Sequence, residues 1–260
     1  MKEIIINNEF NIYRDTKKET LYKIKFTNQS YSLLRSIIKT NIIIGSTITE
    51  DYKSLIFQAI SVKTLTQYQV YLKNTHSSLD IEKVLKMIYY LTTQLKYLIN
   101  NENKCFYRYN PDNILVIDET KFIYLSNDDL LKTETETKHI QFNTIFSREW
   151  FISPEILKIN TIPEIVNYKT IYYSLGALII YCLYSINIFE LDQYENKYEN
   201  KYENQELDQE LDQELDQENQ DQELEKEIEQ IIITIKGTKL YYFIKRCLNK
   251  TIEKRTLIYF

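Results

Sequence analysis

Positions 170–189 read TIYYSLGALIIYCLYSINIF, a run without a single charge, and this stretch constrains the chain more than any other feature. An apolar segment of about 20 residues either crosses a bilayer as a helix or lies in the middle of a large domain with protein on every side. Tyr, Ser, Asn and Thr occupy eight of its twenty positions and no basic cluster flanks it, so its composition favours a central buried helix over a membrane span. Burying such a helix takes a sizeable surrounding core. A chain of 260 residues that is 43% hydrophobic can supply one large core or two modest lobes.

The rest of the pattern divides the chain in two. From Glu3 to Phe26, short runs at Ile4–Ile6, Phe10–Tyr13 and Leu21–Phe26 alternate with polar turns and predict a small antiparallel sheet. A helix is predicted over Thr49–Ile60 from Leu55, Ile56 and Ala59, followed by a strand pair within Val62–Leu72. Ser77-Ser78-Leu79-Asp80 then looks like a helix start. Ile81, Val84, Ile88, Leu91, Leu95 and Leu98 recur at spacings of three and four, predicting a long amphipathic helix that ends near Asn100-Asn101. Ile114–Ile117 and Phe122–Leu125 read as a hairpin turned at Asp118–Lys121, and Leu240–Leu248 as a late apolar helix. The expected division is a strand-rich unit over residues 1–72 and a mainly helical one over 73–260.

Three glycines and three prolines cannot build a glycine-rich phosphate loop, and Gly45 is the only glycine before Gly176. Cys105, Cys182 and Cys247 are odd in number and far apart. With no signal-like apolar core at the N-terminus, they predict a reduced, intracellular, cytoplasmic protein. His76 and His139 stand in polar surroundings without metal-ligand spacing, which argues against His/Cys metal chemistry. The net charge of −5 conceals an acidic, low-complexity array at residues 191–230, with sixteen Asp/Glu and three Lys, while the rest of the chain carries 29 Lys/Arg against 21 Asp/Glu. Its four-residue repeat places Leu207, Leu211 and Leu215 about 40° apart around a helix, so no lasting apolar stripe forms. A solvated insert is the plain expectation, and an acidic bait for a basic partner the sharper one. The remaining basic residues are scattered, so no nucleic-acid partner is expected.

Four segments, in order, carry a resemblance to the larger lobe of protein kinases. Asn110-Pro111-Asp112-Asn113-Ile114-Leu115-Val116 resembles the end of the catalytic loop. Phe151-Ile152-Ser153-Pro154-Glu155-Ile156-Leu157 resembles the motif that closes the activation segment, and Tyr173-Ser174-Leu175-Gly176 the start of the central buried helix. Cys247 to Arg255 is similar to the family's C-terminal motif. The resemblance spans roughly residues 79–260, is nearest in character to divergent kinase-like proteins of large DNA viruses, and implies an α+β, two-lobed kinase-like fold. If viral, the chain would act inside the host cell.

What the resemblance implies about chemistry is mostly loss. Phosphoryl transfer needs a carboxylate at the acceptor hydroxyl, an Asp and an Asn on Mg²⁺, a Lys on the phosphates and a glycine-rich cover. The catalytic triplet falls on Phe106-Tyr107-Arg108, so a cation replaces the carboxylate, and the next loop lysine becomes Asn110. The magnesium-binding asparagine is retained as Asn113. The metal-binding aspartate falls on Asn127, with Asp128 or Asp129 able to reach a metal only if the backbone moved, and a neutral amide binds Mg²⁺ far more weakly than a carboxylate. Lys23 or Lys25 would be the ATP-anchoring lysine, with Glu50 as partner on the following helix. The aspartate that braces the loop falls on Ile171. Glu155 and Arg255 are expected to pair as structural residues, alongside Gly176. The resulting expectation is a pseudokinase serving as a protein-interaction or regulatory module, with no cofactor. The alternatives are a weakly active ATP- and Mg²⁺-dependent kinase, or a protein anchored in a membrane at 170–189.

Overall fold

A computed structural model describes residues 1–75, 79–146, 151–188 and 226–258. Its N-terminal part is rich in strands and its C-terminal part carries most of the helices, a mixed α+β arrangement. Strands β1 (Lys2–Ile6), β2 (Phe10–Arg14) and β3 (Leu21–Phe26) form an antiparallel meander. Alternation decides which face is buried: Phe10 and Ile12 of β2 and Tyr22, Ile24 and Phe26 of β3 are inside, while Lys23 and Lys25 point the other way. Strands β5 (Ser54–Gln58) and β4 (Thr47–Ile48) complete a five-stranded sheet in the order β1-β2-β3-β5-β4.

Two expectations for this region are overturned. Residues 49–60 are not a helix but a turn followed by β5, because Leu55 and Phe57 are both buried at a spacing of two and pair with β3 at Ile24 and Tyr22. The helix lies earlier, as α1 (Tyr31–Lys39), with Leu33, Leu34 and Ile37 buried in the core. Nor is Val62–Leu72 a strand pair. Only β6 (Val62–Thr64) is extended, and Thr64 then caps α2 (Leu65–Asn74) in a reciprocal box with Gln67. Strand β6 pairs with β8 (Ile114–Ile117), which crosses the boundary expected at residue 72.

The long amphipathic helix is α3 (Ile81–Tyr97), capped by the Asp80 carboxylate on Lys83 N and continued by a wider turn over Leu98–Glu102. Its N-terminal flank, His76-Ser77-Ser78, lies outside the described residues. Gln94, fully buried on α3, is satisfied on all sides: it exchanges two hydrogen bonds of 3.0 Å with the backbone of Tyr124 and donates to Ser36 Oγ of α1. The hairpin of β8 and β9 (Lys121–Tyr124) turns through Asp118 and Glu119, both with φ above +50°, a geometry matched to strand twist. Strand β7 (Lys104–Phe106) pairs with β10 (Leu130–Lys132), and β11 (His139–Phe142) with β12 (Glu164–Asn167).

The uncharged run forms α5 (Thr170–Tyr184), buried along nearly its whole length. Among the described residues no helix is long and apolar enough to cross a membrane. Gly176 explains how α5 meets α6 (Lys239–Cys247): a Cβ at that position would lie 2.9 Å from Cys247 Cβ and 3.0 Å from Leu248 Cγ. The short helix α4 (Pro154–Leu157) precedes α5. The acidic array lies outside the described residues except for its helical end at 226–230.

Candidate functional site

The turn between β1 and β2, Asn7-Asn8-Glu9, reaches across to the loop before β8 and the segment after β9. Glu9 Oε1 accepts from Ser126 Oγ at 2.6 Å and Asn113 Nδ2 at 3.1 Å. Its second oxygen, Oε2, accepts from the backbone N–H groups of Asn127 at 2.6 Å and Asp128 at 3.1 Å. Burial pushes the Glu9 carboxyl above its ordinary value, against the pull of the Ser126 hydroxyl and the two amides, and the neighbouring Asp128 charge adds to the rise. One carboxylate therefore collects four donors from two places in the chain.

This contact determines what the two candidate metal amides do. Asn113 is used from both ends, since Oδ1 accepts from Asn7 Nδ2 at 2.8 Å while Nδ2 donates to Glu9. Asn127 turns its Nδ2 onto Ser30 Oγ at the start of α1. Asp128 is exposed. Among the described residues there is no cluster of three His, Cys, Asp or Glu side chains suited to a metal.

Arg108 and Asp129 form the second part of the site. Arg108 Nε donates to Asp129 Oδ1 at 2.7 Å, and Tyr124 Oη donates to Asp129 Oδ2. Burial works against the Arg108 charge, yet Asp129 outweighs it and holds the guanidinium above its ordinary value. Tyr124 Oη also accepts from Asn110 N at 3.0 Å, and Asn110 Oδ1 caps the short turn Pro111–Asn113 through Asp112 N. An arginine whose charge is held by a carboxylate at 1% exposure can neither take up a proton from a hydroxyl nor leave that carboxylate free for a metal.

Ile171, onto which the resemblance would place a bracing aspartate, carries no such group, yet the loop is supported from α5. Ser174, one turn further along α5, accepts from Tyr109 N at 2.8 Å and holds the loop from beneath, while Ile171 is core. The lysine pairing fails as well. Glu50 is exposed in the turn after β4 rather than on a helix, and α1, the helix after β3, reads YSLLRSIIK without a carboxylate. No salt bridge to Lys23 or Lys25 is present among the described residues.

Away from this site, Arg255 grips Glu155 through Nη1 and, at 3.1 Å, Nη2. Its Nε donates to Asn249 O at 2.7 Å and its guanidinium lies over the Tyr173 ring at 5.0 Å. The three cysteines are free and buried, and burial pushes each thiol well up. Glu9, Ser126 and Ser174 are the residues that sequence reasoning missed. Compared with protein-family models and with curated proteins, the chain matches none.

Proposed function

We propose that the chain is a kinase-like pseudoenzyme that works by binding another protein rather than by transferring phosphate. The observation that carries this reading is the seating of Glu9: a carboxylate from the β1–β2 turn fills the place where Asn113 and the segment 126–128 converge. In a protein kinase that turn is a glycine-rich cover over nucleotide phosphates, and the facing residues hold Mg²⁺. Here the turn carries its own anion into the cleft. The order of elements also supports the reading, with a small sheet holding one helix between its third and fourth strands, then α3, a loop and hairpin, the Glu155–Arg255 pair and the buried α5. The absence of a carboxylate from α1 removes the lysine's expected partner, and Arg108 stands paired where a catalytic carboxylate is needed.

Thermal unfolding with ATP, with and without Mg²⁺, tests this. A ligand at a hundred times its Kd adds about 2.7 kcal/mol to stability. The expected result is no Mg²⁺-dependent rise in the midpoint. A saturable, Mg²⁺-dependent rise overturns the reading and favours a weakly active, ATP-dependent kinase.

A further inference from the structure

We infer that the pocket holding Glu9 is a metal-independent receptor for a two-oxygen anionic head, a carboxylate or a phosphate, and that Glu9 is its resident, displaceable occupant. The inference goes beyond the pseudoenzyme reading and does not depend on it. Its basis is the way the donors divide. Ser126 Oγ and Asn113 Nδ2 converge on one oxygen, and the consecutive N–H groups of Asn127 and Asp128 converge on the other. Consecutive backbone N–H groups turned to one side form a concavity suited to anions. Two donor pairs aimed at two oxygens specify an acceptor that carries both oxygens on one atom, which a single-atom anion cannot satisfy.

Three of the four donors are held by bonds that do not involve the β1–β2 turn, and the fourth, Asn113 Nδ2, is also oriented by Asn7 of that turn. Ser126 is fully buried and its oxygen also accepts from Asp129 N at 3.1 Å, while Asp129 is tied to Arg108 and Tyr124. Leu125 N donates to Asn113 O at 2.8 Å, which fixes the loop and the hairpin end relative to each other. The receptor is built from elements after β7, whereas its occupant arrives on a surface turn between β1 and β2, so the two can separate with the loss of the Asn7–Asn113 hydrogen bond. The Asp128 carboxylate is exposed nearby and repels an anion, so recognition rests on four directed hydrogen bonds rather than on a positive field. Being tethered, Glu9 competes at high effective concentration, and a free anion occupies the site only when the turn lifts or the carboxylate is removed.

The test uses the full chain in EDTA with inorganic phosphate, acetate or chloride at matched ionic strength. Readouts are the unfolding midpoint and the amide resonances of Asn127 and Asp128. In Glu9→Ala, phosphate or acetate should move both resonances. The midpoint should climb by roughly 2–4 °C for each fivefold increase in anion above saturation, over and above the general salt effect seen in the wild type. Which of the two anions acts more strongly identifies the preferred head. Adding Ser126→Ala should abolish the response. If Glu9→Ala does not fold, Glu9→Gln keeps one acceptor oxygen and should give a smaller response of the same kind. The inference is overturned if a folded variant responds to chloride as it does to phosphate and acetate, if neither oxyanion moves the two amides, or if the response survives Ser126→Ala.

Discussion

Replacing Glu155 by alanine strands a guanidinium with nowhere to go. The Arg255 side chain is 1% exposed and directs both terminal nitrogens at Glu155, whereas Glu155 keeps 24% of its side-chain surface. Removing the carboxylate from a buried pair of this kind costs about 3–5 kcal/mol, because the orphaned charge can reach neither water nor another acid. Arg255→Met should cost less. The Glu155 carboxylate left behind retains access to water and to the Thr170 hydroxyl, and the methionine covers part of the Tyr173 ring. Urea unfolding followed by circular dichroism checks the order: at a slope of about 3 kcal/mol per molar, Glu155→Ala should lower the midpoint by about 1–1.7 M. A pH series adds a second readout. Burial raises the Glu155 carboxyl, but the hydrogen bond and charge of Arg255 outweigh it, so the net displacement is below its ordinary 4.5. A carboxyl depressed on folding contributes stability above its unfolded value and loses it as pH falls through the folded one. The advantage of the wild type over Glu155→Gln should therefore shrink as pH drops below about 4.5. A loss under about 1 kcal/mol for Glu155→Ala, or a larger loss for Arg255→Met, would refute the argument that the buried guanidinium is the vulnerable partner.

Two further substitutions examine the central helix. Gly176→Ala should destabilise the chain by about 1–3 kcal/mol in urea, since the new methyl meets Cys247 Cβ at 2.9 Å, and a neutral or stabilised variant would mean that α5 and α6 separate freely. Ser174→Ala removes the acceptor of a buried N–H at Tyr109 and should cost about 1–3 kcal/mol in the same assay; no loss would mean that another group braces the loop.

Local pattern was enough wherever one element's own residues carry the signal. The strands at Ile4–Ile6, Phe10–Tyr13 and Leu21–Phe26, the helix from Ile81, the hairpin at Asp118 and the buried helix at 170 all announce themselves through periodicity or length. Residues 49–60 misled because Leu55, Ile56 and Ala59 also fit a helical face. The matching i, i+1, i+4 set at Leu33, Leu34 and Ile37 was the true helix, and Thr64-Leu65-Thr66-Gln67 carried a readable cap for α2. Pairing with β3 settles the ambiguity, and that pairing joins residues some thirty positions apart, too far for any short window to register.

The chemistry divides in the same way. Identity alone dictates that Arg108 cannot act as a base and that no glycine-rich loop exists, because those properties belong to side-chain types wherever the chain places them. What meets Asn113 and the segment 126–128 could not be read from residue types. Glu9 lies 104 residues from Asn113 and 119 from Asp128, and nothing in its neighbours marks it as a ligand. Its role exists only once the sheet turn and the hairpin end are brought together, since a hydrogen bond depends on distance and direction in space and not on separation along the chain.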